Sequence, residues 1–404
     1  MQISLTPGLT KTPAGQEIET ILRSCVHCGL CNPACPTYNL LGNELDGPRG
    51  RIYQIKNLFE GKSVTTETQR HLDRCLSCSA CETACPSGVQ YSKLLDISRA
   101  ELDQRVKRPL LQRCIRKALC WIIPSTQWFS FFLTLARSIR PLIPSSALKR
   151  RIPLAKAPGI WPRGLHSRRV LILGGCVQPS LEPNIDSALA RVLDRHGISA
   201  NAFYSGCCGS VSHHLSATEQ TNLRIKQNID VLWPEIEAGI EAIVITATGC
   251  GAMLQDYADL MKHDFHYAEK AAKVSALYRD PVQLLEQLSI NKVGLGRRVA
   301  FHAPCTLVNA LKLEGRVEAL LKQAGFDVLP GMQSSQCCGS AGTYSLLQPT
   351  LAKQLRDRKL EQLQQPQPDI IATANIGCLL HLNTASELPV VHWLTLLESH
   401  GLNS

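Results

Sequence analysis

Apolar and polar positions divide the chain into two kinds of stretch. In the N-terminal quarter they recur at helical spacing. Ile52, Ile55, Leu58 and Phe59 share one face of a helix predicted after the Gly-Pro turn in Leu40 to Glu60, "LLGNELDGPRGRIYQIKNLFE". Tyr91 to Val106 reads as another helix. Beyond residue 168 the pattern changes to short solid apolar runs alternating with amphipathic segments. Val170 to Leu173, Ile198 to Phe203 and Ala242 to Thr246 predict strands. Ser187 to Gly197, "SALARVLDRHG", predicts an amphipathic helix stopped by glycine. Strand alternating with helix predicts an open α/β unit with a mostly parallel sheet.

That unit is written twice. Arg168 to Cys176 matches Arg297 to Cys305. "SGCCGS" at Ser205 matches "SQCCGSAGT" at Ser335. "EAIVITATGC", ending at Cys250, matches "DIIATANIGC", ending at Cys378. The offsets are 129, 130 and 128 residues, which marks a duplicated domain. In each copy the cysteines fall just after strands, and the carboxyl ends of parallel strands form a ligand crevice. Cys176, Cys207, Cys208 and Cys250 should therefore meet in the first copy. Cys305, Cys337, Cys338 and Cys378 should meet in the second. Buried cysteine packs as a small apolar residue, but adjacent cysteines followed by Gly-Ser suit a soft metal better. Four thiolates satisfy zinc or an iron–sulfur cluster equally, so both readings stand. His302 and His381 are further candidates, as ligands or as groups that orient ligands.

A second repeat lies upstream. "CVHCGLCNPACP" at Cys25 and "CLSCSACETACP" at Cys75 share the spacing C-x2-C-x2-C-x3-C-P. This is the bacterial ferredoxin run, in which three cysteines hold one cluster and the fourth serves the other. One [4Fe–4S] cluster is assigned to Cys25, Cys28, Cys31 and Cys85. The other is assigned to Cys75, Cys78, Cys81 and Cys35. Zinc sites use well-separated C-x2-C pairs instead. Flanking helices make this a helical two-cluster module. His27, within the first loop, is expected to tune hydrogen bonding there. His213 and His214 are expected at the surface, and Cys114 and Cys120 to be structural.

Composition adds three points. Eighteen cysteines in 404 residues, with no signal-peptide pattern at the start, argue for metal or redox chemistry over a disulfide framework. The net charge of +10 is concentrated: residues 107–169 hold fourteen Lys or Arg and no acid. Trp121, Ile122, Trp128, Phe129, Phe131 and Phe132 sit in this segment, which suits an anionic membrane surface or a partner subunit. Its apolar run is too short and too broken by Pro124 to span a membrane, and no recognition motif supports nucleic acid. Finally, no G-x-G-x-x-G, P-loop or nucleophile elbow is present, so a flavin or nicotinamide site is expected on another chain.

Two ferredoxin runs followed by two Cys-Cys-Gly (CCG) domains resemble the iron–sulfur subunits that serve flavin dehydrogenases and heterodisulfide reductases. The neighbourhoods "CNPACPTYNLLGNELDGPRGRIYQIK", "CCGSAGTYSL" and "TANIGC" resemble the iron–sulfur subunit family of bacterial glycolate oxidase. The resemblance implies two flavoprotein-type partner subunits that oxidise glycolate to glyoxylate. It implies electron transfer towards quinone, and a cytoplasmic protein peripheral to the inner face of the membrane. Related alternatives are subunits of glycerol-3-phosphate or lactate dehydrogenases. Heterodisulfide reductases end the CCG motif in C-x-x-C, whereas Cys250 is followed by Gly251, Ala252 and Met253, and Cys378 by Leu379, Leu380 and His381. The missing fifth cysteine counts against disulfide-reducing chemistry. The expected fold class is α+β multidomain: residues 1–106 a helical ferredoxin module, 107–167 a basic contact segment, 168–290 and 297–404 two α/β CCG domains with mostly parallel sheets.

Overall fold

The computed structural model describes residues 2–145, 149–204, 206–330 and 336–398. Ser205 and Ser335, which open the two Cys-Cys-Gly motifs, lie outside the described residues, as do residues 399–404.

The N-terminal part is helical. Helix α1 (Pro13–Ser24) starts where the Thr12 side chain accepts from Gly15 N–H and Pro13 presets the first turn. It is followed by α2 (Pro36–Leu41), α3 (Pro48–Phe59), α4 (Thr66–Asp73), the single turn α5 (Ala80–Thr83) and α6 (Tyr91–Arg105). Ile18 and Leu22 of α1, Ile55 and Leu58 of α3, Leu72 of α4, and Leu94 and Leu95 of α6 form one core. Cys25 and Cys81 belong to that core, so the cysteine loops are pinned to the helices that flank them.

The basic segment, expected as a linker or contact segment, contains two successive helices. Helix α7 (Leu110–Ile122) and α8 (Thr126–Ile139) meet at a bend of 108° across Pro124. No single helix among the described residues is long and apolar enough to cross a membrane. Leu110, Leu111, Trp121, Trp128, Phe131 and Leu135 are exposed. Trp121 packs on Trp128 at 4.7 Å, and Phe131 and Phe132 extend that cluster.

Two four-stranded parallel sheets follow. The first, β1 (Arg168–Leu173), β2 (Ile198–Phe203), β3 (Ala242–Val244) and β4 (Tyr278–Arg279), has the order β2-β1-β3-β4. The second, β5 (Arg298–His302), β6 (Asp327–Val328), β7 (Ile370–Thr373) and β8 (Val390–His392), has the order β6-β5-β7-β8. Val170 pairs with Ala200 and Ala242, and Ala300 pairs with Ile371. Strands β1 and β7 are buried on both faces, which is why they read as unbroken apolar runs. The short edge strands β4 and β8 escaped sequence analysis, since two or three residues carry no period. A single apolar core joins both sheets. Across it Thr248 Oγ1 meets Thr306 Oγ1 at 2.8 Å and His392 Nε2 meets Thr246 O at 3.0 Å.

The helical module docks on both copies. Asn309 Nδ2 donates to Cys78 O at 2.9 Å, and Tyr344 O–H donates to Arg74 O at 3.2 Å. On the other side Asp96 of α6 pairs with His213 at 2.9 Å. His213 and His214 are thus half-buried at an interface and not at the surface as expected. Burial works against the His213 charge, but the Asp96 carboxylate wins and raises its pKa. Burial likewise opposes the Asp96 charge, and His213 lowers its pKa. His214, Asp256 and Arg99 share this pocket. The ion pair contributes fully below the unfolded histidine value of about 6.5 and above the unfolded aspartate value of about 3.9. It is lost as pH rises through the raised His213 value. Wild type should therefore lose about 1–3 kcal/mol of stability between pH 6 and 9 that His213→Asn does not lose, measured by urea unfolding at both pH values.

Candidate metal centres

The two ferredoxin-type loops share one backbone geometry. Cys25 caps the C-terminus of α1, and Cys75 follows α4 in the same way. Between the first and second cysteines, His27 and Ser77 have φ of 61° and 51°. After the second cysteine, Gly29 and Ser79 have φ of 85° and 56°. Left-handed non-glycine residues are uncommon and cluster at functional sites. Here they turn the chain so that thiols and backbone N–H groups face one centre; Ser77 N–H lies 3.4 Å from Cys75 Sγ. Each run then ends in Cys-Pro, and Pro36 opens α2 so that Cys35 is carried off as its cap.

The fourth cysteine of each run is found with the other run. Cys25, Cys28 and Cys31 line one cavity with Cys85, and Cys81 also lines it. Cys75, Cys78 and Cys81 line another with Cys35. Burial, then the charges of Cys25, Cys85 and Cys28, pushes the Cys31 thiol up to about 11. Burial, then Cys78, Cys75 and Cys35, pushes Cys81 well up. Such thiols ionise only against a bound cation, which suits metal ligation.

The two centres differ in surroundings. Around the first, Cys28 is exposed, with Val26 at 66% and Leu30 at 59% exposure beside it. The second is enclosed and charged. Arg51, 1% exposed, points Nη1 at Cys35 Sγ (3.8 Å) and donates to Thr37 Oγ1 and His71 O. Beneath it Asp46, 0% exposed, meets His71 Nδ1 and Arg74 Nη1, each at 2.9 Å. Burial opposes the Arg51 charge, but Cys75, Tyr91, Cys35 and Asp46 more than offset it and raise its pKa. Sequence analysis missed this network. The string "DGPRGRIY" contains Asp46 and Arg51, but a charged pair reads as solvated surface.

The duplicated sheets bring their cysteines together at strand ends, as expected. In the first copy Cys176, Cys207, Cys208 and Cys250 all line one cavity. Hydrogen bonds from Cys176 and Cys208, with Gly209 N–H and the nearby Arg224 charge, pull the buried Cys207 well below the usual thiol range. In the second copy Cys305 Sγ lies 3.9 Å from Cys337 Sγ, and Cys338 Sγ lies within 4.8 Å of Cys378 Sγ. Gly209 and Gly339 take φ of 95° and 86°, and their N–H groups reach the Cys207 and Cys337 sulfurs at 3.4 Å. A side chain at Gly339 would lie 2.7 Å from Ala352 O, so this turn requires glycine. Cys305 opens a π-helical turn (Thr306–Ala310), a rare geometry frequent at functional sites.

Of the lone candidates, His302 lies with Cys338 and Cys378, all three donor atoms within 4.8 Å of one another. His381 turns away to Ala352 O at 3.1 Å. Cys120 is buried and Cys114 exposed, and neither is among the cysteines lining these cavities. A chamber of about 1470 Å³ touches both Cys-Cys-Gly quartets, Cys75, and the inner side of the α7–α8 pair at Ile115, Ile123 and Phe129. The second ferredoxin-type quartet abuts the second sheet domain directly: Leu76 and Cys78 pack with Cys337, Cys305 and Tyr344.

A 4Fe-4S dicluster domain model matches residues 21–89, and a cysteine-rich CCG domain model matches residues 170–255 and 299–383. The chain is 48% identical over 98% of its length, and 98% of the relative's, to the glycolate oxidase iron-sulfur subunit of Escherichia coli. The chain belongs to the glycolate oxidase iron–sulfur subunit family. A probable glycolate oxidase iron-sulfur subunit of Bacillus subtilis is 29% identical over 91% of this chain and 89% of its own. Lactate utilization protein A of Shouchella clausii is 24% identical over 51% of this chain and 87% of its own. The α+β multidomain class expected from the sequence agrees with the matched domains and with the two parallel sheets.

In this glycolate oxidase iron–sulfur subunit homologue, the Asp46 carboxylate faces His71, Arg74 and Arg51 at once. Asp46→Ala leaves those groups without it. It should cost about 3–5 kcal/mol, read as a lowered denaturant midpoint at constant iron content.

Proposed function

We propose that the chain is the iron–sulfur electron-transfer subunit of a membrane-associated glycolate dehydrogenase complex. Its partners are flavoprotein subunits, two in number, that convert glycolate to glyoxylate; this chain carries no substrate-oxidising site of its own. The observation that carries the reading is the pair of cysteine quartets, one at the surface and one buried against the duplicated domains. Cys25, Cys28, Cys31 and Cys85 would hold one [4Fe–4S] cluster, and Cys75, Cys78, Cys81 and Cys35 the other. When bound, the clusters supply one-electron relay. We divide the chain at 1–106, 107–167, 168–290 and 297–404, and read the cysteines of both CCG domains as metal or cluster sites.

Each part of the chain has a role in this scheme. The exposed Val26, Leu30 and Tyr53 around the first quartet offer an apolar rim to a flavoprotein partner. Arg51 holds a fixed positive charge beside the second quartet, which favours its more reduced, more negative state. The chamber between the CCG quartets and the α7–α8 pair is apolar on its helical side, and we assign it to an acceptor of the quinone class. The α7–α8 pair joins exposed Trp121, Trp128 and Phe131 to exposed Arg113, Lys117, Arg150 and Arg151, the combination that binds an anionic bilayer interface.

Two measurements test this. Cys28→Ser should remove about four of eight irons and abolish glycolate-driven quinone reduction by the assembled complex. Full iron with full activity would refute the ligand assignment. Vesicles containing a third phosphatidylserine should bind the protein at low salt and release it at about 0.5 M salt, because screening shortens the reach of the basic residues. Trp128→Ser with Phe131→Ser should weaken that binding at least tenfold. Salt-insensitive binding, or none, would assign the pair to a partner subunit.

A further inference from the structure

Two adjacent histidines on the chamber wall stand in opposite electrostatic states. His213 Nε2 meets the Asp96 carboxylate at 2.9 Å, with the two side chains 20% and 25% exposed. Burial opposes the His213 charge, but Asp96 outweighs it and raises its pKa. Burial, then the His213 charge, pushes His214 down to about 4. His214 Nδ1 is buried without a partner among the described residues. His213, His214 and Asp96 all line the chamber. Neighbouring titratable groups pushed apart in this way mark acid–base roles.

Charged groups face the pair from several elements. Helix α6 brings Asp96 and Arg99, and the helix Thr248–Leu260 brings Asp256. Arg116 of α7 lines the same chamber. Arg224, on the helix that follows the pair, acts on Cys207 and Cys120. Arg99 also donates to Cys75 O at 2.9 Å, so the pair stands beside the second ferredoxin-type quartet. Asp256 is exposed on the chamber wall, and Asp259, one turn on, meets Lys93 at 3.1 Å. Acidic groups thus lead from His213 towards solvent.

We propose that His213 is the proton donor to the acceptor in the chamber, and that Asp96 positions it. This rests on the quinone-class reading of that chamber. Reduction of a quinone to a quinol takes two electrons and two protons. The electrons are those released by glycolate oxidation. The second proton of a His213 imidazolium is on Nδ1, because Asp96 engages Nε2. The Nδ1–H bond breaks as an O–H bond forms at one quinone oxygen. The neutral ring then takes a proton from solvent by way of Asp256 and delivers the second. His214 stays neutral and does not compete for these protons.

The test uses the assembled complex with glycolate and two acceptors. A one-isoprene benzoquinone takes electrons and protons, whereas ferricyanide takes electrons alone. The ratio of the two rates cancels effects of pH on glycolate oxidation. In wild type this ratio should fall as pH rises through the raised His213 value. Asp96→Asn keeps a hydrogen-bond acceptor and removes the charge. It should move that fall about one pH unit lower. His213→Gln should cut the ratio about tenfold or more and flatten its pH dependence, at unchanged iron content. An unaltered ratio in His213→Gln, including an equal loss with both acceptors, overturns the proposal. An Asp96→Asn profile identical to wild type does the same. Wild type that reduces ferricyanide and not the quinone refutes the quinone-class reading of the chamber instead.

Discussion

A thiolate survives in a protein interior only beside positive charge. Sixteen of the cysteines converge into four groups, most of them shielded from water. Desolvation alone would keep nearly all of these protonated, as the raised values at Cys31, Cys78 and Cys81 indicate. The surrounding fold answers this constraint in several ways. Left-handed residues aim N–H groups inward, Arg51 is buried against Cys35, and Lys359, 3% exposed, lies near the second CCG quartet. The remaining compensation must come from bound metal, which couples folding to cofactor loading.

The architecture follows from where parallel strands end. Both sheets release their cysteines at carboxyl ends, and a common core turns the two sets of ends towards one chamber. The helical module closes that chamber from one side and the α7–α8 pair from another. The ferredoxin-type quartet that contains Cys78 lies against the second sheet domain, beside that chamber.

Much of this is readable in the sequence, for a definite reason. Ligand spacing is local, so the exchange of Cys35 and Cys85 between the runs follows from the C-P ending alone. The duplication is equally plain, because three motifs keep nearly constant offsets. What cannot be read depends on contacts between distant segments. Asp46 and Arg51 look like surface charge until α4 brings His71 and Arg74 to them. His213 looks like surface until Asp96 of α6 meets it. The two-residue strand β4 has no periodicity to detect. His302 and His381 are equal candidates in the sequence, and only tertiary placement separates them.

The unequal shielding of the two ferredoxin-type loops has a bearing on damage. Cys28 meets solvent between two apolar neighbours, whereas Cys35 and Cys81 do not. Dioxygen and peroxide reach thiolates in order of exposure. Oxidative attack on this molecule therefore has a sequence: the outer loop is consumed first. The inner quartet is contacted by Arg51 and packs against the second CCG domain. A partner seated on the Val26 and Leu30 rim would then serve a second purpose, as a shield that an unassembled subunit lacks.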